Sequence, residues 1–519
     1  MGHARRRDGE RVARRHAAEA DVKREVTIAR EAGISMAGLV FGQAVRFGYN
    51  LAAARLLGVD ALGVYALVVA VQQVAEVIAI GGYDLGLLRF VNQRQGEARR
   101  QTIAAAIKRT SLAALFAGLL IALFSGQLAS LLHGGGLLRM TLLAVALALP
   151  LSVTANMAGF AIQAHQRLMP KMVATQIIMP GLFLFSMLAA RQLWGREAAL
   201  ALPFVIAPLA AMAWILPGFR RMTGVELNDV LRAGSNRELN RFALPLLAVA
   251  FFSILSHWID VVMLGFLTDV GTVGLYQPAA RTAGLLRSVL LAFSGIAAPM
   301  IAACHGRQDY GGVRATYEMV TRWTLTLVMP PFLLLALFPA EVLSVFGKGF
   351  GDGAVALVLL SVSSLLLAWF GLGSTVLAMS GGERLSMMNQ AVALLLQVLL
   401  HWLLIPRFGL NGAALSTLIV MALLTLARMA ELRHLLGIPY LSAALWKPTA
   451  AGVAAGAVML GVRYAAPPLP PLALLALAGV TGTALYALLI RAFRLEPEET
   501  EVIFKLFPFL KRNRSNEAP

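Results

Sequence analysis

The chain has 519 residues, 58% of them in the AVILMFWYC class and only 14% charged. Soluble domains carry roughly 45–50% apolar and about 25% charged residues, so a soluble multidomain enzyme is excluded. The formal charge is +18, from 45 Lys+Arg against 27 Asp+Glu, which signals either nucleic-acid binding or the positive-inside bias of membrane loops.

The first 33 residues form a charged tail with Arg5-Arg6-Arg7, Arg14-Arg15 and Lys23-Arg24. The apolar stretch behind it is too long for the h-region of a cleavable signal peptide. A membrane helix needs about 20 mostly apolar residues. Fourteen stretches qualify: 34–54, 61–81, 110–132, 138–160, 172–193, 199–217, 243–266, 273–300, 324–346, 355–379, 387–405, 411–432, 447–466 and 470–490. None shows the alternation of an outer-membrane barrel. The reading is an all-α polytopic membrane protein of about 14 transmembrane helices.

Of the 45 basic residues, seven fall in the odd-numbered connections: Arg55, Arg139, Arg191, Arg196, Lys348, Arg407 and Arg463. Three more (Arg46, Arg281 and Arg287) lie inside spans, and the other 35 follow the two tails and the even-numbered side. That asymmetry places both termini in the cytoplasm and weakens the nucleic-acid reading, because the charge is spread over many short loops. The odd-side loops are too short to hold a domain.

A weak internal repeat divides the chain. Gly63-Val64-Tyr65 matches Gly274-Leu275-Tyr276 at an offset of 211, Gly96 pairs with Gly306 at 210, and Gln166-Arg167-Leu168 faces Glu383-Arg384-Leu385 at 217. Two six-helix lobes in parallel pseudo-twofold repeat follow, at 34–217 and 243–432. A cytoplasmic linker at 218–242 joins them, 433–490 holds two extra spans, and 491–519 is a second cytoplasmic tail.

These residues also carry a family resemblance. Arg55-Leu56-Leu57-Gly58 through Gly63-Val64-Tyr65-Ala66-Leu67 resembles the start of the polysaccharide-transporter (Wzx-type) branch of the multidrug/oligosaccharidyl-lipid/polysaccharide (MOP) exporter superfamily. Asp260, Gly274-Leu275-Tyr276, Ala279-Ala280-Arg281, Ala298-Pro299 and Gly382-Glu383-Arg384 agree in the second half. The resemblance implies a MATE-like V-shaped fold with a central cavity, in the bacterial inner membrane. It implies flipping of an undecaprenyl-diphosphate-linked oligosaccharide to the periplasmic leaflet, alongside a polysaccharide polymerase and chain-length machinery. A lipid II flippase, a drug/cation antiporter and a membrane glycan polymerase or ligase are the alternatives. The arginines argue against the antiporter, and the short odd-side loops argue against an enzyme.

Ionisable residues inside spans cost about 2.5–3.5 kcal/mol each on insertion scales and so mark candidate sites. Span 1 carries Gln43, Arg46 and Asn50 on one face, and span 7 carries Ser253, Ser256, His257 and Asp260. Span 2 adds Gln72 and Glu76; span 8 adds Gln277 and Arg281. Guanidinium groups pair with phosphate oxygens at any accessible pH, so Arg46 and Arg281, with Gln43, Asn50, Gln277 and Arg287, are candidate ligands for a diphosphate. Two readings stand for the arginines: diphosphate contacts, or counter-ions to Glu76 and Asp260. Glu76, His257 and Asp260 are candidates for coupling to a proton or sodium gradient. Gln390, Gln397 and His401 share one face of span 11 and could meet sugar hydroxyls, or pack between helices. Spans 13 and 14, nearly free of polar side chains and linked by Pro467-Pro468-Leu469-Pro470-Pro471, either form a lipid-facing groove or pack on the second lobe. Gly347-Lys348-Gly349 lacks the spacing of a P-loop, and Cys304 is the one cysteine. No cofactor and no metal cluster is expected.

Overall fold

The computed structural model describes residues 38–437, 445–465 and 469–493. The N-terminal tail, most of the C-terminal tail and Pro467-Pro468 lie outside the described residues. Among those described there is no strand, as the physics of a bilayer requires. Lipid offers backbone groups no partners, so a chain crosses it as helices or as a closed barrel.

The chain forms two compact units, one up to Gly274 and one from Leu275. The first opens with α1 (38–57) and α2 (Val59–Ile80). Gly81 and Gly82, both at positive φ, end α2 and start α3 (Tyr83–Gln93). There follow α4 (Gly96–Leu131), α5 (Gly135–Ala164) and α6 (Met169–Met172), which runs through a π-helical turn (Val173–Ile178) into α7 (Met179–Leu193). Next come α8 (Arg196–Thr223), the short α9 (Leu227–Arg232) and α10 (Arg237–Leu267). At 36 residues α4 is about 54 Å long, well beyond a hydrocarbon core of about 30 Å. Its first half carries Arg99, Arg100, Lys108 and Arg109, and the apolar run begins after them.

Within this unit α5 is the central helix, packed on α2, α3, α4 and α8. Leu138, Leu142, Val145, Leu149, Val153 and Met157 on it are wholly buried. Lipid is as apolar as leucine, so close packing and interhelical hydrogen bonds hold such helices together rather than the hydrophobic effect. Ser111 and Thr154 join α4 to α5 at 2.8 Å, and Trp258 on α10 donates to Gln73 on α2 at 3.1 Å. Each such bond contributes on average about 0.6 kcal/mol.

The repeat glycines meet in space. A Cβ on Gly63 would overlap the Val270 carbonyl oxygen, and one on Gly274 would overlap the Val59 carbonyl oxygen. Val59 and Val270 stand at the same offset of 211 as the glycines themselves. The contact is therefore self-complementary: each helix end contributes one glycine and one carbonyl, four residues apart.

The second unit takes most of α11 (Val270–Gly306), then α12 (Tyr310–Leu337), α13 (Pro339–Ser344), a 3-10 turn at Phe350–Gly353, and α14 (Ala354–Phe370). It closes with α15 (Leu372–Met379), α16 (Glu383–Leu436), α17 (Trp446–Ala465) and α18 (Pro471–Ala492). A straight 54-residue helix would run about 80 Å, but α16 is broken at Gly409, whose φ of 54° and ψ of −131° are not helical. Pro406 precedes the break. α17 and α18 pack on each other and on α12, with Phe338, Met459 and Ala478 at the centre. Their outer faces leave Val453, Val480 and Leu488 exposed, so these helices pack on the second unit and also present an apolar face.

Eleven stretches among the described residues are long and apolar enough to cross a membrane, against fourteen expected. The stretch Arg384–Leu436 takes in two expected spans at once. The span expected at 34–54 begins outside the described residues, and α17 carries Lys447 and Arg463 near its ends.

Candidate functional site

The polar stripe of α1 forms a site against the π-helical turn. Proline at 180 has no N–H to offer the Gln176 carbonyl four residues earlier, and the helix ahead of it takes the wider π register over Val173–Ile178. Gly42 lets α1 come close there, since a Cβ on it would lie 2.6 Å from Gln176 Oε1 and 2.9 Å from its carbonyl. One turn further on, Arg46 Nη1 donates to Gln176 Oε1 at 3.2 Å and to Gln43 Oε1 at 3.4 Å. Arg46 Nη2 donates to the Thr175 carbonyl at 3.2 Å. Three of five N–H groups are used, all on neutral acceptors, so the positive charge stays uncompensated by any of these partners. Arg46 is exposed, while Asn50 is buried and donates to the Arg46 carbonyl at 2.8 Å.

Glu76 on α2 is likewise held by neutral groups. Its Oε1 accepts from Gln72 Nε2 at 2.9 Å and from the Ser152 hydroxyl of α5. The pairing of Arg46 with Glu76, one of the two sequence readings, is thus replaced by two separate sets of neutral partners. On α10, His257 is exposed and stands edge-on to the Trp258 ring at 5.2 Å, and Asp260 is half-buried one turn on. Tyr65, from the Gly-x-Tyr motif, packs with Tyr49, Phe183 and Phe204, with neighbouring ring centroids 4.7–6.1 Å apart. That motif therefore sets both the glycine contact and an aromatic cluster beside the α1 stripe.

In the second unit, Gln277 is 1% exposed and its Nε2 has no hydrogen-bond partner among the described residues. Arg281, one turn along α11, is half-buried, as is Arg287. A Cβ on Gly284 would come within 3.9 Å of Arg287 Nη2, so this guanidinium lies back along its own helix. Gln397 and His401 are buried, and Gln397 bonds Thr417 across the α16 hairpin at 3.5 Å. Gln390 is half-buried. The structure thus gathers Gln43, Arg46 and Asn50 with Thr175 and Gln176, and Gln72 and Glu76 with Ser152. Thr175, Gln176 and Ser152 were not singled out from the sequence. The one available signal was a polar pair inside an apolar span just ahead of a proline. No group of three or more His, Cys, Asp or Glu among the described residues could hold a metal ion.

A family model described as "polysaccharide biosynthesis protein" matches residues 52–352, more than half of the chain. The chain belongs to the polysaccharide biosynthesis protein family. Among curated relatives of this family member are a probable flippase, AglR, of Haloferax volcanii, 26% identical over 174 residues, and a probable low-salt glycan biosynthesis flippase, Agl15, of the same organism, 22% identical over 169 residues. The matches cover 32% of this chain and 36% of each relative, so the chain spans about a third of the length of the curated relatives it matches. Among solved structures, the inward closed form of the lipid II flippase MurJ superposes with a TM-score of 0.71 at 12% identity, over 89% of this chain and 98% of that one. An inward-facing MATE-family transporter of the MOP superfamily gives 0.61 at 16%, over 76% and 98%. At these identities the likeness is one of fold, and it bears out the MATE-like architecture of a multi-pass membrane protein expected from the sequence.

Proposed function

We propose that this protein is a flippase that carries a lipid-linked oligosaccharide, joined through a diphosphate to undecaprenol, from the cytoplasmic to the opposite leaflet by alternating access. It changes no covalent bond and sits in the inner membrane with both termini in the cytoplasm. The observation that carries the reading is Arg46, an exposed arginine of α1 that, among the described residues, bonds neutral groups only and has two N–H groups left. Those two suffice for a bidentate contact with a phosphate oxygen pair, the strongest kind of charge-assisted hydrogen bond. The family, and the printed names of AglR as a probable flippase and of Agl15 as a probable low-salt glycan biosynthesis flippase, point the same way.

In this reading Gln43 completes the headgroup contacts of Arg46, Arg281 and Gln277 are the polar pair the second unit offers to the same substrate, and Glu76, His257 and Asp260 couple the cycle to protons or sodium ions. A polymerase and chain-length machinery consume the product. The likeness to MurJ favours a second reading, the peptidoglycan precursor as substrate. The test is a flipping assay in vesicles with fluorescent lipid-linked oligosaccharide and lipid II side by side. Losing a charge-assisted contact worth about 1.5–3 kcal/mol should slow the Arg46→Ala variant at least tenfold, with unchanged insertion. Equal rates in Arg46→Ala and wild type would overturn the Arg46 assignment, and transport of lipid II alone would favour the second reading.

A further inference from the structure

On the basic side of the first unit, where α3, α4 and the start of α10 converge, lies a cavity of about 190 Å³. It is separate from the α1 stripe, and its lining holds no carboxylate. Lys108 and Arg109 supply two positive charges, and Tyr83, Ser235, Asn236 and Asn240 supply neutral polar groups. These groups are already organised. The Tyr83 hydroxyl donates to Asn240 Oδ1 at 2.5 Å, and Asn240 Nδ2 donates to Ser235 Oγ at 3.1 Å. Asn236 caps α10 by accepting from the Leu239 N–H at 3.1 Å. Lys108 Nζ donates to the Leu231 and Ala233 carbonyls at 2.7 and 2.9 Å, which leaves one of its three N–H groups.

Two carboxylates on the same surface are taken by other arginines. Glu238 pairs with Arg94 at 2.6 Å, and Asp229 pairs with Arg100 at 2.9 Å. Lys108 meets two carbonyls and Arg109 the Tyr83 hydroxyl, all neutral, so their charge is left to the cavity. Apolar surface begins at its wall. Leu112 lines the cavity, and Leu112, Leu115, Phe116, Leu119 and Leu123 form one stripe along α4, each more than half exposed. Their spacing of i, i+3, i+4, i+7 and i+11 keeps them on a single face that continues into the membrane.

A cationic cavity at the membrane surface joined to an exposed apolar helix face matches an amphiphile with an anionic head. Drug-sized ligands need pockets of roughly 300–1,000 Å³. This cavity is smaller and suits a phosphate with its first ester groups rather than an oligosaccharide. We propose that it binds the phosphate headgroup of an anionic glycerophospholipid of the cytoplasmic leaflet, with an acyl chain along the α4 stripe. Basic pockets between membrane helices on the cytoplasmic side are a known means of holding such headgroups. The lipid would bridge Lys108 and Arg109 of α4 to the residues that begin α10. The proposal shares the membrane orientation of the functional reading but not its substrate.

The test is native mass spectrometry of the full-length, delipidated protein in detergent with equal amounts of phosphatidylglycerol and phosphatidylcholine. One phosphatidylglycerol adduct should be preferred at least tenfold. Arg109→Glu should abolish the preference, and Arg196→Gln, on the opposite side, should keep it. Lys108 also supports two backbone carbonyls, so Arg109 is the cleaner probe, with Ser235→Ala expected to weaken binding severalfold. Equal retention of the two lipids, or a preference unchanged in Arg109→Glu, would overturn the proposal. So would tenfold tighter retention of undecaprenyl phosphate, or binding of inorganic phosphate with the same Arg109 dependence, since these assign the cavity to the carrier lipid or to a soluble anion. None of these outcomes alters the flipping assay of Arg46→Ala.

Discussion

Charged groups in the first unit are treated in two different ways, according to where they sit. At the basic rim they meet opposite charges: Arg94 with Glu238, Arg100 with Asp229. Within the bundle, Arg46 and Glu76 are instead surrounded by glutamines, a serine and a backbone carbonyl. Neutral partners satisfy the hydrogen-bonding groups of a charge without cancelling it. Ion pairs at the rim leave little field to act on a ligand, while the inner groups keep theirs. The difference separates charges that hold the fold in place from charges available to a substrate.

The contrast can be broken most severely at Glu76. Removing both of its donors with Gln72→Leu and Ser152→Val should cost about 3 kcal/mol or more, because hydrogen bonds to charged groups contribute roughly 1.5–3 kcal/mol each. A clear drop in thermal unfolding temperature in detergent checks this. Gln176→Leu takes one of three partners from Arg46 and should cost about 1.5–2 kcal/mol. It should also slow flipping while Gln176→Glu, which neutralises the arginine, slows it further. At the rim the expected effects shrink. A double-mutant cycle with Arg94→Gln and Glu238→Gln should return a coupling of about 1 kcal/mol or less, as for other solvent-exposed pairs.

The smallest effect belongs to Asp229. The Glu226 N–H, donating at 2.8 Å, and then Arg100 hold its carboxyl below the usual aspartate range. A depressed folded-state pKa gives stability that is present above the unfolded value of about 3.9 and lost as pH falls through the folded one. Hydrogen exchange of α9 should therefore be constant from about pH 5 upward and rise only in stronger acid. In Asp229→Asn that acid step should vanish.

Much of the fold is legible in the chain because long apolar runs have one solution in lipid. The offset of 211 between Gly63 and Gly274 was legible as a repeat, but that these two positions touch was not. The α1 stripe was legible too, since Gln43, Arg46 and Asn50 repeat at helical spacing. Its partners were not. The π turn depends on a missing N–H at Pro180 combined with the approach of α1 at Gly42, and no local pattern encodes both. The Gly409 break was hidden for a similar reason: the apolar pattern continues on both sides of it, and only the backbone conformation reveals the turn.

The contact of Gly63 and Gly274 has a consequence for motion. It is made of each glycine against a backbone carbonyl, with only the Val59 and Val270 side chains packing beside it. Parting these two helix ends loses dispersion, including that of the two valines, and weak Cα–H···O contacts of about 0.5–1 kcal/mol each. Because both halves of the contact have the same geometry, they release together. The contact acts as a low-friction bearing, tight when closed and free of any latch that must first be withdrawn.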